Sequence, residues 1–166
     1  MNGLGCEKNE KEAVKWFRKA AEQGFAAAQN SLGVCYQFGV GVKMDQQEAA
    51  KWFRKAAEQG HVNAQNNLGV FYAEGTGVEK NPKEAVKWLR MAADKGLADA
   101  QHNLGVGYLD GKNGEKNPKE ALKWIRKAAE QQHAEAQTTL GACYSQGLGV
   151  EQDPKEAVKW FRKAAE

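Results

Sequence analysis

Five tryptophans, Trp16, Trp52, Trp88, Trp124 and Trp160, stand 36 residues apart without slippage, so the chain has to fold as copies of one small unit. The four tyrosines, Tyr36, Tyr72, Tyr108 and Tyr144, keep the same period. So do Leu32-Gly33, Leu68-Gly69, Leu104-Gly105 and Leu140-Gly141, and the Ala-Gln pairs that begin at Ala28, Ala64, Ala100 and Ala136. A fixed period of about 20 to 50 residues is the signature of a solenoid or array. Each unit then buries its apolar face against its neighbours alone.

Each period carries two helical patterns. The first reads Asn81-Pro82-Lys83-Glu84-Ala85-Val86-Lys87-Trp88-Leu89-Arg90-Met91-Ala92-Ala93. Asn81 suits an N-cap, Pro82 the first helical position, and Glu84 the third, where a glutamate can reach back to the cap. Asn9/Glu12, Asp45/Glu48, Asn117/Glu120 and Asp153/Glu156 repeat the arrangement, which predicts a helix start at each. Gly24, Gly60 and Gly96 stop the helix, because glycine takes the left-handed turn cheaply. Gln132 replaces that glycine once, and its turn is expected to be strained or differently shaped. Ala13, Trp16, Phe17, Ala20 and Ala21 follow the spacing of one buried helix face.

The second pattern, Ala64-Gln65-Asn66-Asn67-Leu68-Gly69-Val70-Phe71-Tyr72, sets Ala64, Leu68 and Tyr72 on one face with Phe71 beside them. Gly69 lies near that face and lets a partner helix approach closely. A glycine turn follows at Gly39-Val40-Gly41-Val42, Gly75-Thr76-Gly77-Val78 and Gly147-Leu148-Gly149-Val150, and leads to the next cap. No stretch alternates with period two, so no strand is expected. The expected fold is all-α: a right-handed α-α superhelix (solenoid) of antiparallel helix pairs with a 36-residue repeat.

Composition agrees. The chain has 166 residues, 42% apolar and 27% charged, as folded soluble chains have. A mean hydropathy of -0.72 and the lack of a long uncharged apolar run leave no candidate for a membrane-spanning helix. Met1-Asn2-Gly3-Leu4-Gly5 has neither a basic start nor an apolar stretch, so no secretory signal is expected. A net charge of +3 is too small to point to nucleic acid by itself.

The recurring string A-Q-x-x-L-G-x-x-Y-x-x-G, then G-V or a near variant, then N/D-P-x-E-A-x-x-W-F-R-K-A-A, resembles the Sel1-like repeat family, a branch of the tetratricopeptide-type helical solenoids. Gln46 in place of proline and Asn113-Gly114 in place of Gly-Val depart from it. In that family's convention the Leu-Gly-Tyr helix comes first. Residues 1–24 are then an orphan second helix, and 25–60, 61–96, 97–132 and 133–166 are four repeats of one solenoid domain covering 1–166. Neither end carries a polar capping helix, which fits a piece of a longer array and leaves self-association through the ends open. The resemblance implies a non-catalytic scaffold or adaptor for a protein or peptide partner, in complex assembly, quality control, or bacterial signalling and host contact. Some cysteine-rich relatives have been proposed to be hydrolases, but they carry a cysteine pair in each repeat and this chain does not.

No enzyme is expected, because catalysis wants one unique constellation and a solenoid supplies near-equivalent copies. No catalytic residue, cofactor or metal site is therefore assigned. Cys35 and Cys143 occupy equivalent positions three repeats apart, and helix layers spaced about 8–10 Å put them beyond bonding distance. Both stand where Phe71 stands and read as small buried hydrophobes. Cys6 replaces the turn valine, and contact with Cys35 is left open. Without a disulfide framework or a signal segment, a reducing, cytoplasmic setting is favoured. His61, His102 and His133 have no H-E-x-x-H and no cysteine pair nearby, so no metal ligand set is read from them. The Gly-x-Gly turns follow no strand and precede no Gly-Lys-Ser, so they are turns and not phosphate loops.

Two surfaces remain. On the Trp helix, Lys15, Arg18 and Lys19 point away from the buried face and recur in every period, broken only by Met91. This basic stripe suits a nucleic acid or an acidic membrane. The alternative is a solvated face with Arg18 and Glu22 paired one turn apart. No stacking aromatics interleave with it, because every tryptophan is assigned to the core, and nucleic acid is disfavoured. On the Leu-Gly-Tyr helix, Val34, Val70, Val106 and Ala142 form an apolar row on the face turned from the core, which in tetratricopeptide-type solenoids lines a concave groove. Asn30, Asn66, His102 and Thr138 run along one side of it, and Ser31, Asn67, Asn103 and Thr139 along the other. An apolar floor between amide and hydroxyl rows suits an extended peptide. The candidate partner-binding residues are Asn30, Val34, Asn66, Asn67, Val70, His102, Asn103, Val106 and Thr138.

Overall fold

The computed structural model describes residues 3–112 and 114–166, with side chains from Asn9 onward. Among the described residues it is all-α: α1 (Gly3–Glu22), α2 (Ala26–Phe38), α3 (Gln46–Glu58), α4 (Val62–Glu74), α5 (Pro82–Asp94), α6 (Ala98–Asp110), α7 (Pro118–Glu130), α8 (Ala134–Gln146) and α9 (Pro154–Ala165). The odd-numbered helices carry the tryptophans and the even-numbered ones the Leu-Gly-Tyr motif.

The predicted caps form, but not as full boxes. Asp45, Asn117 and Asp153 accept the backbone N–H of Glu48, Glu120 and Glu156 at 3.0, 3.1 and 3.1 Å. The glutamates do not reach back, because the N–H of each cap residue is already donated elsewhere. Asp45, Asn81, Asn117 and Asp153 give it to the carbonyls of Tyr36, Tyr72, Tyr108 and Tyr144, each at 2.9 Å. The glutamates turn instead to the lysine three residues on, as in Lys51 to Glu48 and Lys123 to Glu120. Glu84 and Glu120 also accept from the indole N–H of Trp88 and Trp124, at 3.0 and 3.1 Å. The first box is a correction: α1 already runs from Gly3, so Asn9 lies inside the helix and not at its start.

The turn at Gln132 keeps the shape its glycine counterparts give. Gln132 has φ 65°, beside 95°, 85° and 90° at Gly24, Gly60 and Gly96. The bonds that close the turn also match: His133 N–H reaches the Ala128 carbonyl as His61 N–H reaches Ala56. The tertiary frame imposes the left-handed conformation on a residue whose Cβ resists it by about 1–2 kcal/mol.

The chain divides into two compact units, residues 1–81 and 82–166. In the first, α2 packs on α1 and α3, and α3 on α4. Val14, Ala21, Leu32, Cys35 and Trp52 form one buried cluster, and the Phe53 ring meets the Phe71 ring edge-on at 5.3 Å. In the second unit, α6 packs between α5 and α7, and α8 between α7 and α9. One buried cluster there is Ala121, Leu122, Ile125, Ala128, Ala129, Ala136, Leu140 and Cys143. Close approach at the Leu-Gly motif is real: a Cβ on Gly105 would stand 2.5 Å from Ile125 Cγ1 and 3.0 Å from the Ala121 carbonyl. The Gly-x-Gly turns are turns, and at Gly77 a side chain would collide with the Gln46 carbonyl at the start of α3.

Not every tryptophan is in the core. Trp52, Trp88 and Trp124 are buried, but Trp16 is 61% exposed, and Ala13 and Phe17 beside it are exposed too. Trp52 shows the reason, since it is covered by residues of α1 and α2, the pair before its own helix. Among the described residues no such pair stands before α1. Cys35 and Cys143 are free and buried, and burial pushes both thiols up from their ordinary pKa, with Glu10 adding to the effect at Cys35. The side chain of Cys6, and with it the open question of contact with Cys35, lies outside the described residues.

Candidate functional site

The even-numbered helices owe their placement to the glutamine of the repeated Ala-Gln pair. Gln29, Gln65, Gln101 and Gln137 are buried, and each donates its Nε2 to the carbonyl eight residues back, on Ala21, Ala57, Ala93 and Ala129, at 3.1–3.2 Å. That carbonyl belongs to the last turn of the preceding Trp helix, where it also accepts the turn N–H of Gly24, Gly60, Gly96 or Gln132, and the glutamine is its second donor. The glutamine therefore ties the end of one helix to the start of the next. Gln59 and Gln131 donate in turn to the Oε1 of Gln29 and Gln101, at 2.7 and 2.8 Å. A second tie joins the hairpin farther along, where Arg18, Arg54, Arg90 and Arg126 donate to the hydroxyls of Tyr36, Tyr72, Tyr108 and Tyr144.

These ties fix the face of α2 and α4 in the first unit and of α6 and α8 in the second. Asn30, Val34, Asn66, Asn67 and Val70 on the former are half-buried, as are His102, Asn103 and Val106 on the latter; Thr138 is exposed. The polar rows are partly engaged with one another. Asn67 Nδ2 donates to Asn30 Oδ1 at 3.3 Å, and His102 Nε2 meets Thr139 Oγ1 at 3.0 Å, each pair joining one repeat to the next. Thr138 Oγ1 donates back to the Ala134 carbonyl of its own helix. An amide has two donor hydrogens and two acceptor lone pairs, so the Asn30–Asn67 bond leaves most of that capacity unspent.

The basic stripe is tied down at home. Arg18 bonds Tyr36 across the hairpin rather than Glu22 along its helix. Lys51, Lys87, Lys123 and Lys159 pair with the glutamate three residues before them. Lys19, Lys55, Lys127 and Lys163 lie over the rings of Trp16, Trp52, Trp124 and Trp160 at 4.2–4.5 Å. Where Met91 interrupts the stripe, Lys87 covers Trp88 at 5.1 Å. Most of these cations are thus matched by a carboxylate, a hydroxyl or a ring within their own unit.

One gathering of side chains was not visible in the spacing. His61 and His133 stand two periods apart, and both cap an even-numbered helix: their Nδ1 atoms accept the N–H of Ala64 and Ala136 at 3.3 and 3.1 Å. Capping folds the His133 ring back over α6, where its centroid comes within 5.2 Å of the His102 ring. Asp99 Oδ1 lies 2.9 Å from His133 Nε2, and Glu135 Oε2 lies 3.8 Å from His102 Nδ1. Ligand atoms of His102, His133 and Glu135 all fall within 4.8 Å of one another. Burial, and then His133, hold the His102 imidazole below its ordinary pKa, against the opposing pull of Glu135 and Asp99. The missed signal was a histidine at an N-cap position opposite a second one on the preceding even-numbered helix.

The model of the Sel1 repeat family matches residues 1–25, 26–61, 62–97, 98–133 and 134–166. A Sel1 repeat protein from Oxalobacter formigenes superposes with a TM-score of 0.88 at 41% identity, over 93% of this chain and 62% of its own. The c5321 protein of uropathogenic Escherichia coli, described as a protective antigen with an SLR fold, gives 0.85 at 41% identity, over 92% of this chain and 32% of its own. Helicobacter pylori cysteine rich protein B gives 0.55 at 26% identity, over 70% of this chain and 88% of its own. The chain thus spans less than two thirds of the first two proteins. No curated protein matches it.

Proposed function

Because the chain belongs to the Sel1 repeat family, whose members generally serve as protein-interaction scaffolds, we propose that it is a non-catalytic adaptor holding an extended protein segment on its even-numbered helices. In the first unit the segment rests on Val34 and Val70 between Asn30, Asn66 and Asn67. In the second it rests on Val106 between His102, Asn103 and Thr138. The observation that carries this reading is the half-burial of Val34, Val70 and Val106 between polar rows. Such a floor takes apolar side chains, while amides that donate and accept follow a peptide backbone without choosing one sequence. Nucleic-acid binding through the outer stripe is the weaker reading, because most of those cations already have a partner in their own unit.

The test is a peptide selected from a random displayed library on the immobilised chain, then titrated against two double variants. Asn67→Ala with Asn103→Ala should weaken it at least about tenfold, whereas Lys51→Ala with Lys87→Ala should leave it within about twofold. The reverse pattern, or a selected ligand whose affinity falls steeply with salt as polyanion binding does, overturns the assignment.

A further inference from the structure

We propose that His102, His133 and Glu135 form a binding site for one divalent transition-metal ion of zinc's class, seated between α6 and the start of α8. This does not rest on the peptide-binding reading, although His102 appears in both.

The hydrogen bonds fix the tautomer of each imidazole. Thr139 donates its single hydroxyl hydrogen to the Glu135 carbonyl at 2.8 Å. Its oxygen therefore accepts from His102, which places the His102 proton on Nε2, 3.0 Å away. The lone pair of His102 is left on Nδ1, and the group that faces it is the Glu135 carboxylate, 3.8 Å off. Two electron-rich atoms set against each other at a side chain only 13% exposed want a cation between them. At His133 the Nδ1 lone pair is held by Ala136 N–H, so Nε2 carries the proton and hands it to Asp99 at 2.9 Å.

A metal arriving at His133 Nε2 needs that proton moved to Nδ1, so the ring stays a neutral imidazole and gives up the Ala136 N–H bond. His102 Nδ1 and a Glu135 oxygen are already within 4.8 Å of the other ligand atoms. Zinc bonds of about 2.0–2.2 Å put neighbouring ligands a little over 3 Å apart, so closure takes small side-chain rotations. Glu135 is 81% exposed and free to make them. Asp99, beside His133 Nε2, is placed to be the fourth ligand. Two imidazoles with carboxylate oxygens suit zinc, cobalt or nickel, and suit calcium or magnesium poorly. Thr139, which accepts the His102 Nε2 proton, is the outer contact that orients that ligand.

The experiment uses the full, tag-free chain freed of metal by chelator, titrated with zinc chloride by calorimetry at pH 7.5. Cobalt chloride serves as the spectroscopic probe, since a tetrahedral cobalt site absorbs strongly in the visible. Wild type should bind one zinc ion per chain, with a rise in Tm. His102→Gln and Glu135→Gln should each weaken binding at least about tenfold, and His61→Gln and Cys6→Ser should not. If His102→Gln does not fold, loss of the cobalt absorption in the exposed Glu135→Gln variant carries the test. Absence of zinc binding below about 1 mM, or wild-type affinity in either the His102→Gln or the Glu135→Gln variant, overturns the proposal.

Discussion

At the scale of single residues, the repeat shows its rules best where it breaks them. Gln132 holds φ 65° in a turn that its counterparts fill with glycine. Relief of the left-handed penalty, about 1–2 kcal/mol, outweighs the backbone entropy a glycine adds, about 0.5–1 kcal/mol. Gln132→Gly should therefore stabilise the chain by roughly 0.5–1 kcal/mol in urea unfolding, and a loss of stability would refute the strain. The Leu-Gly glycines differ among themselves. On Gly105 a methyl would meet Ile125 and the backbone of α7, with Ile125 fully buried. On Gly141 the three nearest atoms it would meet are ring atoms of Phe161, which is 41% exposed and able to turn aside. Gly105→Ala should cost about 2–3 kcal/mol, and Gly141→Ala at most about 1 kcal/mol. Equal costs would mean that the helix pair yields as easily as a surface ring.

At the scale of helices, coverage decides more than composition. Trp16 and Trp52 stand in the same local string, yet one is 61% exposed and the other 8%. Trp52→Ala empties a core site and should cost about 3–5 kcal/mol, whereas Trp16→Ala should cost under about 1 kcal/mol, compared by denaturant melts of the two variants. Similar losses would show that Trp16 is covered after all. The helices and most of their caps were legible from periodicity, because local chemistry sets them; Asn9, inside α1, is the exception. What the glutamates do was not legible. Whether Glu48 turns to its cap or to Lys51 depends on Tyr36, nine residues before that cap, having already taken the cap's N–H. The buried Gln101 was visible as a repeated letter, but its role appears only once the end of α5 is known to lie against it. The His102–His133 meeting needed both a capping conformation and the stacking of α8 on its neighbour, and neither is written in residue spacing.

At the scale of the whole molecule, the titration of a few half-buried groups gives a stability profile with a defined sign. His102 is held below the ordinary imidazole pKa by burial first and by His133 second, opposed by Glu135 and Asp99, and His61 is lowered by burial. Between each lowered value and about 6.5, the unfolded chain binds a proton that the folded chain refuses. Stability is therefore fully present above about pH 6.5 and is lost as pH falls through that window. Glu120 is lowered too, chiefly by its hydrogen bond from Lys123, so its contribution is fully present above the ordinary carboxylate value and is lost only as pH falls through it. The interval from pH 7 to 5 thus isolates the histidines. Urea midpoints measured with chelator present should fall over that interval, and His102→Gln should flatten the decline without abolishing it, since His61 remains. A midpoint that holds steady or rises as the solution is acidified from pH 7 to 5 would show that the folded chain accepts these protons as readily as the unfolded one.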